Sequence, residues 1–348
     1  MKKITKLVSL ILVLAMVLAL AACGGGNKAS DTKKSDEVIK IQIAHADPSN
    51  NSSPNHQLNY RFKELIEERS NGHFEIEVVG DAALGSEGEY FAGLKVGTIQ
   101  MCSCTNSTIS QNTKSMMVFD LPFMFADNEA AKSVCQSDWA KTLWPQAEVD
   151  SDAIILGVSC SGFRQLITMN VPVHSPADMK GLKIRVIPND VYVDTMEALG
   201  ASAVPMGFAD VLTGLQQGTI DGFDLPINPF GANSTNEVVK YCNITNHFFT
   251  PYYLVIAKSV YDGLSADDQK LVRECAEEAC YWNFNELWEE LETENTALIK
   301  SKGVTFVEDI DIAAFQEACA PVWEKYRDVI GSDILDKCIE LSAEASAK

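Results

Sequence analysis

One joint between a helix and the strand after it occurs twice in this chain, in nearly the same letters. Leu94-Lys95-Val96-Gly97-Thr98-Ile99 is echoed by Leu215-Gln216-Gln217-Gly218-Thr219-Ile220. Each reads as a helix end, a glycine cap and the start of a strand. The repetition points to two lobes of similar βαβ construction, and 348 residues are enough for two domains.

The flanking segments fit that plan. Val38 to Ala44 alternates Ile39, Ile41 and Ile43 with Lys40 and Gln42, the period of a strand with one apolar face. Ser53 and Pro54 read as the cap and first residue of a helix whose apolar face carries Leu58, Phe62, Leu65 and Ile66. Phe74, Ile76 and Val78 mark the next strand, and Ser86 with Glu89 fits a capping box. Ile154 to Val158 reads as a buried strand, after which the chain crosses into a second lobe over Ser159 to Thr168. There Leu182, Ile184 and Val186 alternate with Lys183 and Arg185 up to Pro188. In open α/β sheets ligands bind at the carboxyl ends of strands. Arg185 stands near such an end, and its planar fork matches a carboxylate. Tyr252 to Ile256 returns to the first lobe, a long helix runs from about Ala266 to Lys300, and Asp311 to Asp328 forms the last amphipathic helix.

Composition limits the partners. The chain opens with Lys2, Lys3 and Lys6, then an apolar run from Leu7 to Ala22 ending in Leu20-Ala21-Ala22-Cys23. That run is short for a membrane span of ~20 residues. It resembles a lipoprotein leader (residues 1–22), with Cys23 as the lipidated residue and a glycine- and serine-rich tether over 23–37. Losing the leader leaves 25 of the 28 basic side chains against 48 acidic ones, a formal charge of −23. Such a surface argues against nucleic acid or an anionic membrane as the ligand. It does not exclude an anionic solute, since surface charges are screened beyond ~8–10 Å and one or two arginines dominate inside a cleft. The ten cysteines include no CxxC pair; with Cys23 lipidated nine remain, an odd number that implies at least one free thiol or an intermolecular bridge, and most of them read as small buried residues. The five histidines form no pair with metal-ligand spacing, and neither metal nor cofactor is expected.

Several stretches in order resemble the solute-binding proteins of TRAP transporters, the DctP family. They are Leu84-Gly85 with Glu87, Asp120-Leu121-Pro122-Phe123-Met124-Phe125, Gly162-Phe163-Arg164-Gln165, Met179 to Val186, Leu199-Gly200-Ala201 with Pro205-Met206, Leu215-Gln216-Gln217-Gly218 with Asp221-Gly222, and Thr245-Asn246-His247. The resemblance covers about residues 38–330. It implies a two-lobed α/β fold of the periplasmic-binding-protein type, with crossing segments and a long helix spanning both lobes. Lobe I would hold residues 38–161 with about 250–285, and lobe II 162–249 with about 286–340. The implied function is extracytoplasmic capture of an organic or sugar acid in the interlobe cleft. The solute passes to the small and large membrane subunits of the transporter, and the lipid on Cys23 is the only membrane attachment.

By that likeness Arg185 grips the substrate carboxylate, Arg164 assists and Phe208 packs on the substrate body. Glu87 joins them as a candidate ligand contact. Where the family commonly has asparagine before the proline, Asp224-Leu225-Pro226 has leucine, so Leu225 departs from the pattern. Asn189 is either a helix cap or a ligand contact. His45, at the end of the first strand, either faces the cleft or is an ordinary loop histidine. Two rival readings exist. Gly157-Val158-Ser159-Cys160-Ser161-Gly162 suggests a hydrolase elbow but lacks its spacing, so no enzyme is expected. The binding component of an ATP-driven importer would use the same lobes.

Overall fold

The computed structural model describes residues 38–347; the leader, Cys23 and the tether lie outside the described residues. One mixed sheet organises them. Its strands are β1 (Ile39–Ala44), β2 (Phe74–Val79), β3 (Met101–Thr105), β4 (Ala153–Thr168), β5 (Lys183–Val186), β6 (Ser202–Pro205), β7 (Gly222–Pro226), β8 (Tyr241–Ala257) and β9 (Thr305–Val307). The order is β2-β1-β3-β8-β4-β7-β5-β6, with β9 beside β8.

Two long strands explain how one sheet makes two lobes. β4 and β8 pair antiparallel from Ala153↔Ala257 to Thr168↔Tyr241. Near Val255, β8 carries β3 and thus the first lobe. Near Arg164 to Thr168, β4 carries β7 and thus the second. The crossing expected at Ser159 to Thr168 is therefore not a separate segment but the continuation of a single strand. β4 is buried throughout, so it shows no alternation that would mark its length. Register shifts at Cys160/Gly162 and Arg164/Leu166 bend the pair between the lobes.

The echoed joints adopt the same geometry. Gly97 has φ 76° and Gly218 φ 69°. Thr98 and Ile99 both donate to the Gly93 carbonyl, and Thr219 and Ile220 both donate to that of Gly214. The glycines at 93 and 214 are needed too, since an added Cβ would stand 2.7 Å from Ile99 Cγ1 in one copy and 3.2 Å from Ile220 in the other.

The long helix runs from Ala266 to Ser301, with a π-turn at Asn283–Leu287 in the middle. Its first part packs on helix Pro54–Arg69 and β4, its last part on helix Ile227–Ala232, so it spans both lobes. The π-turn faces the crossing strands, where Asn283 bonds Ser159 and donates to the Pro54 carbonyl at 2.7 Å. The helix expected to be last, Ile312–Ile330, is followed by another. Gly331, at φ 101°, breaks the chain, and Ser332–Ser346 folds back to bury Leu335 and Cys338. The nine described cysteines are buried and unbridged.

Candidate functional site

The carboxyl ends of the sheet's parallel strands meet in a cavity of about 440 Å³ between the lobes. Asp47 follows β1, Thr105 ends β3, Ile187 and Pro188 follow β5, and Leu225 and Pro226 end β7; all line it. Arg164 and Arg185 line it too, with Glu87, Thr108, Ser161, Phe208, Thr250 and Tyr252.

The two arginines differ in what they have left to give. Arg164, on β4, is buried beside Asp224 of β7. Its Nε donates to Asp224 Oδ2 at 2.5 Å and its Nη2 to the Asp224 carbonyl at 2.6 Å. Its guanidinium lies 5.4 Å from the Tyr192 ring centre. Burial alone would raise the Asp224 pKa, but the Arg164 charge holds the carboxyl well below its usual range. His247 stands 3.7 Å from the same oxygen, and burial pushes its own pKa down.

Arg185, on β5, is only 3% exposed. Its Nε donates to the Met206 carbonyl at 2.9 Å, and no carboxylate lies within ion-pair distance among the described residues. Burial pushes its pKa down to about 10, so it stays a cation at neutral pH. It is a buried charge without a counter-ion, facing a cavity, and a ligand anion would relieve it.

The acidic side of the cavity is Glu87 and Asp47. Glu87 opens helix Glu87–Val96, where the Ser86/Glu89 capping box holds the turn. Its Oε1 accepts from Thr105 N at 2.9 Å, from Thr105 Oγ1 at 2.5 Å and from Thr108 Oγ1. Among the described residues its Oε2 is reached only by Tyr252 OH, at 3.5 Å. Asp47 is 8% exposed, and burial, with Glu87 nearby, raises its pKa to about 7. Phe208, half-buried on the short turn Phe208–Asp210, supplies an apolar wall with Leu225.

Two of the sequence candidates stand elsewhere. His45 does not line the cavity. It is buried against helix Pro54–Arg69, with Nε2 3.1 Å from His56 Nδ1, and burial pushes its pKa down to about 4. Asn189 does not line it either. It caps helix Asp190–Ala198 through Val191 N and donates to Ser107 O at 2.8 Å and Ser110 Oγ at 3.0 Å. Sequence reasoning passed over Asp47 and Asp224. The strand-end rule that drew attention to Arg185 would have found Asp47. Asp224 carried no such signal, since its partner is 60 residues away. The described residues hold no cluster of side chains able to bind a metal ion, and no helix long and apolar enough to cross a membrane.

The family model for bacterial extracellular solute-binding proteins, family 7, called DctP, matches residues 44–328. The 2,3-diketo-L-gulonate-binding periplasmic protein of Escherichia coli strain K12 is 30% identical over 275 residues, 79% of this chain and 82% of its own. A TRAP periplasmic solute-binding protein of Citrobacter koseri, solved with bound D-glucuronate, is 31% identical with a TM-score of 0.82, over 86% of this chain and 99% of that one. A TRAP periplasmic solute-binding protein of Shewanella oneidensis, solved with succinate, is 28% identical with a TM-score of 0.82, over 88% and 99%.

Proposed function

The chain belongs to the bacterial extracellular solute-binding proteins of family 7, the DctP family of TRAP transporters, and we propose that it captures a sugar acid or related organic acid through Arg185. The observation that carries this reading is the unpaired Arg185 cation buried in the cleft wall. Around it the wall offers hydroxyls and carboxylates (Thr105, Thr108, Ser161, Thr250, Glu87) to a polar solute, and Phe208 and Leu225 to its carbon skeleton. The relatives bound to D-glucuronate and succinate support the class.

The cycle is capture without chemistry. The solute enters between a lobe of residues 38–161 with about 250–285 and one of 162–249 with about 286–340, and the lobes close as far as the closed form binds it better. The loaded protein delivers it to the small and large membrane subunits. Leu20-Ala21-Ala22-Cys23 supports tethering outside the cytoplasmic membrane through a lipid on Cys23, with more than one acyl chain for stable anchoring. Membrane fractionation of a Cys23→Ala variant in the native host should find it released; retention equal to the parent's rejects the tether. The solute itself is found by mass spectrometry of what co-purifies, followed by ligand-dependent thermal shift with D-glucuronate, L-galactonate and succinate. A co-purifying ligand without an acid group, together with no shift from any of the three, overturns the reading.

A further inference from the structure

We infer that Gly207 is a positioning residue of capture: it is where the second lobe meets the first at the rim of the cleft, it adjoins the residue that holds Arg185, and it sets how long the solute is kept. The inference rests on capture through Arg185 and adds the contact that keeps the cleft shut.

Ser86 and Gly207 both line the cavity, from opposite lobes. Ser86 precedes helix Glu87–Val96 of the first lobe, and Gly207 follows β6 of the second. A Cβ placed on Gly207 would lie 3.7 Å from Ser86 Cβ, an ordinary van der Waals contact. The lobes therefore meet here with room for a methyl group and little more. Gly88 and Glu89 on one side, and Ala209 and Asp210 on the other, are exposed while lining the same cavity, so the contact lies at its solvent edge. The backbone does not ask for glycine, since φ −60° and ψ 155° are open to any residue. What the missing side chain provides is close approach.

Each side of the rim is fixed within its own lobe. Ser86 N and Ser86 Oγ both donate to Glu89 Oε2 at 2.7 Å. Across the cleft, Met206 N donates to the Val186 carbonyl at 3.2 Å, and the Met206 carbonyl accepts from Arg185 Nε at 2.9 Å. Gly207 is the next residue. A shift of Arg185 toward a solute carboxylate is passed through that bond to the point that meets Ser86. Grip and rim move together, and the solute leaves only after the rim parts. The contact therefore acts on dissociation, while entry takes place through the open form.

The test uses whichever of D-glucuronate, L-galactonate, D-erythronate and succinate shifts the parent's melting most. Gly207→Ala should bind like the parent, because its methyl fits. Gly207→Val should raise the dissociation rate about tenfold or more and leave the association rate within about threefold, read by surface plasmon resonance. Melting of each variant without solute checks the fold. Ser86→Cys combined with Gly207→Cys puts two Cβ atoms at the spacing of a relaxed disulfide. Oxidised glutathione should bridge this double variant faster with solute than without, and the bridged protein should keep its solute through dialysis until it is reduced. A parent-like dissociation rate in Gly207→Val, or a loss carried by its association rate, overturns the inference. Bridging at one rate with and without solute, or a bridged protein that exchanges solute as fast as the reduced one, overturns it too. If Arg185→Ala loses binding while Gly207→Val dissociates like the parent, solute capture stands and only this inference falls. Full binding by Arg185→Ala, or a parent that binds none of the four, removes the reading beneath it and the inference with it.

Discussion

Arg164 and Asp224 face each other from adjacent strands, 2.5 Å apart and both buried, and their charges cancel inside the cleft wall. That pairing leaves Arg185 as the wall's free cation among the described residues. The two arginines, which look alike in the sequence, therefore predict opposite phenotypes.

Arg185→Ala should lose the solute and keep the fold. A charge pair broken on one side costs about 2–5 kcal/mol, or roughly 30-fold to several thousandfold in affinity. Arg185→Lys should recover only part, because an ammonium keeps the charge without the fork. Thermal shift with subsaturating D-glucuronate measures both. A variant that melts normally and keeps the parent's full shift would make Arg185 an ordinary wall residue.

Arg164→Ala should instead lose stability, by about 3–5 kcal/mol, because Asp224 is left as an uncompensated buried charge. This departs from the role of assistant grip that the family likeness implies. A double change, Arg164→Ala with Asp224→Ala, should recover much of the loss. Denaturant unfolding of the three variants decides it. Additive losses in the double variant would show that the pair does not act as a unit.

Much of the scaffold was legible because its signals are local. Alternation marked β1 and the Arg185 strand; Ser53, Pro54 and the Ser86/Glu89 box marked helix starts; Gly97 and Gly218 marked matched helix ends. The cleft was legible only in outline. β4 is covered on both faces, so Ser159, Ser161, Gln165 and Thr168 are as buried as Leu166, and no period betrays a strand of this length. The cap reading of Asn189 was legible, since Val191 N is a local partner. Asp224 and His45 were opaque for another reason: what each does is set by a partner from a different element, Arg164 and His56. A single sequence records the side chain but not the pairing.

Leu225 lines the cavity where an asparagine is the commoner choice in the family likeness. An apolar side chain leaves any solute hydroxyl facing it unpaired, at about 1–3 kcal/mol. Leu225→Asn should therefore reorder the acids bound, favouring those with a hydroxyl at that point. Affinities across D-glucuronate, L-galactonate, D-erythronate and succinate check this. An unaltered ranking would show that Leu225 only packs.

Asp120 predicts a pH dependence. It is fully buried, accepts from Ser110 Oγ at 2.5 Å and has Oδ1 unpartnered, and burial raises its pKa to about 7. Its unfolded value is ~4, so the folded state holds the proton more tightly. That stabilisation is complete below pH ~4 and is lost as pH rises through about 7. Asp120→Asn cannot ionise and should gain on the parent between pH ~4 and ~8, by at most on the order of 3–4 kcal/mol. Melting curves at pH 4.5, 6 and 8 read the difference, and a constant difference across that range would exclude the titration of Asp120 as its source.

The bend between the lobes offers the last test. Gly162 sits at the register shift of β4, opposite Thr250 of β8, with φ 96°. A methyl added there would stand 3.1 Å from both Trp288 Cζ3 and Glu292 Oε2 on the spanning helix. A side chain at this φ is itself strained, so Gly162→Ala should cost about 1 kcal/mol or more. Crowding the spanning helix should also bias the lobes, since this bend is where closure would turn, within residues 159–163 and 248–251. Small-angle scattering with and without saturating D-glucuronate measures that. The parent should contract on binding, and the variant should contract less or begin from a different radius of gyration. If the variant melts lower but contracts like the parent, Gly162 answers a local steric need and the hinge lies elsewhere along the crossing strands.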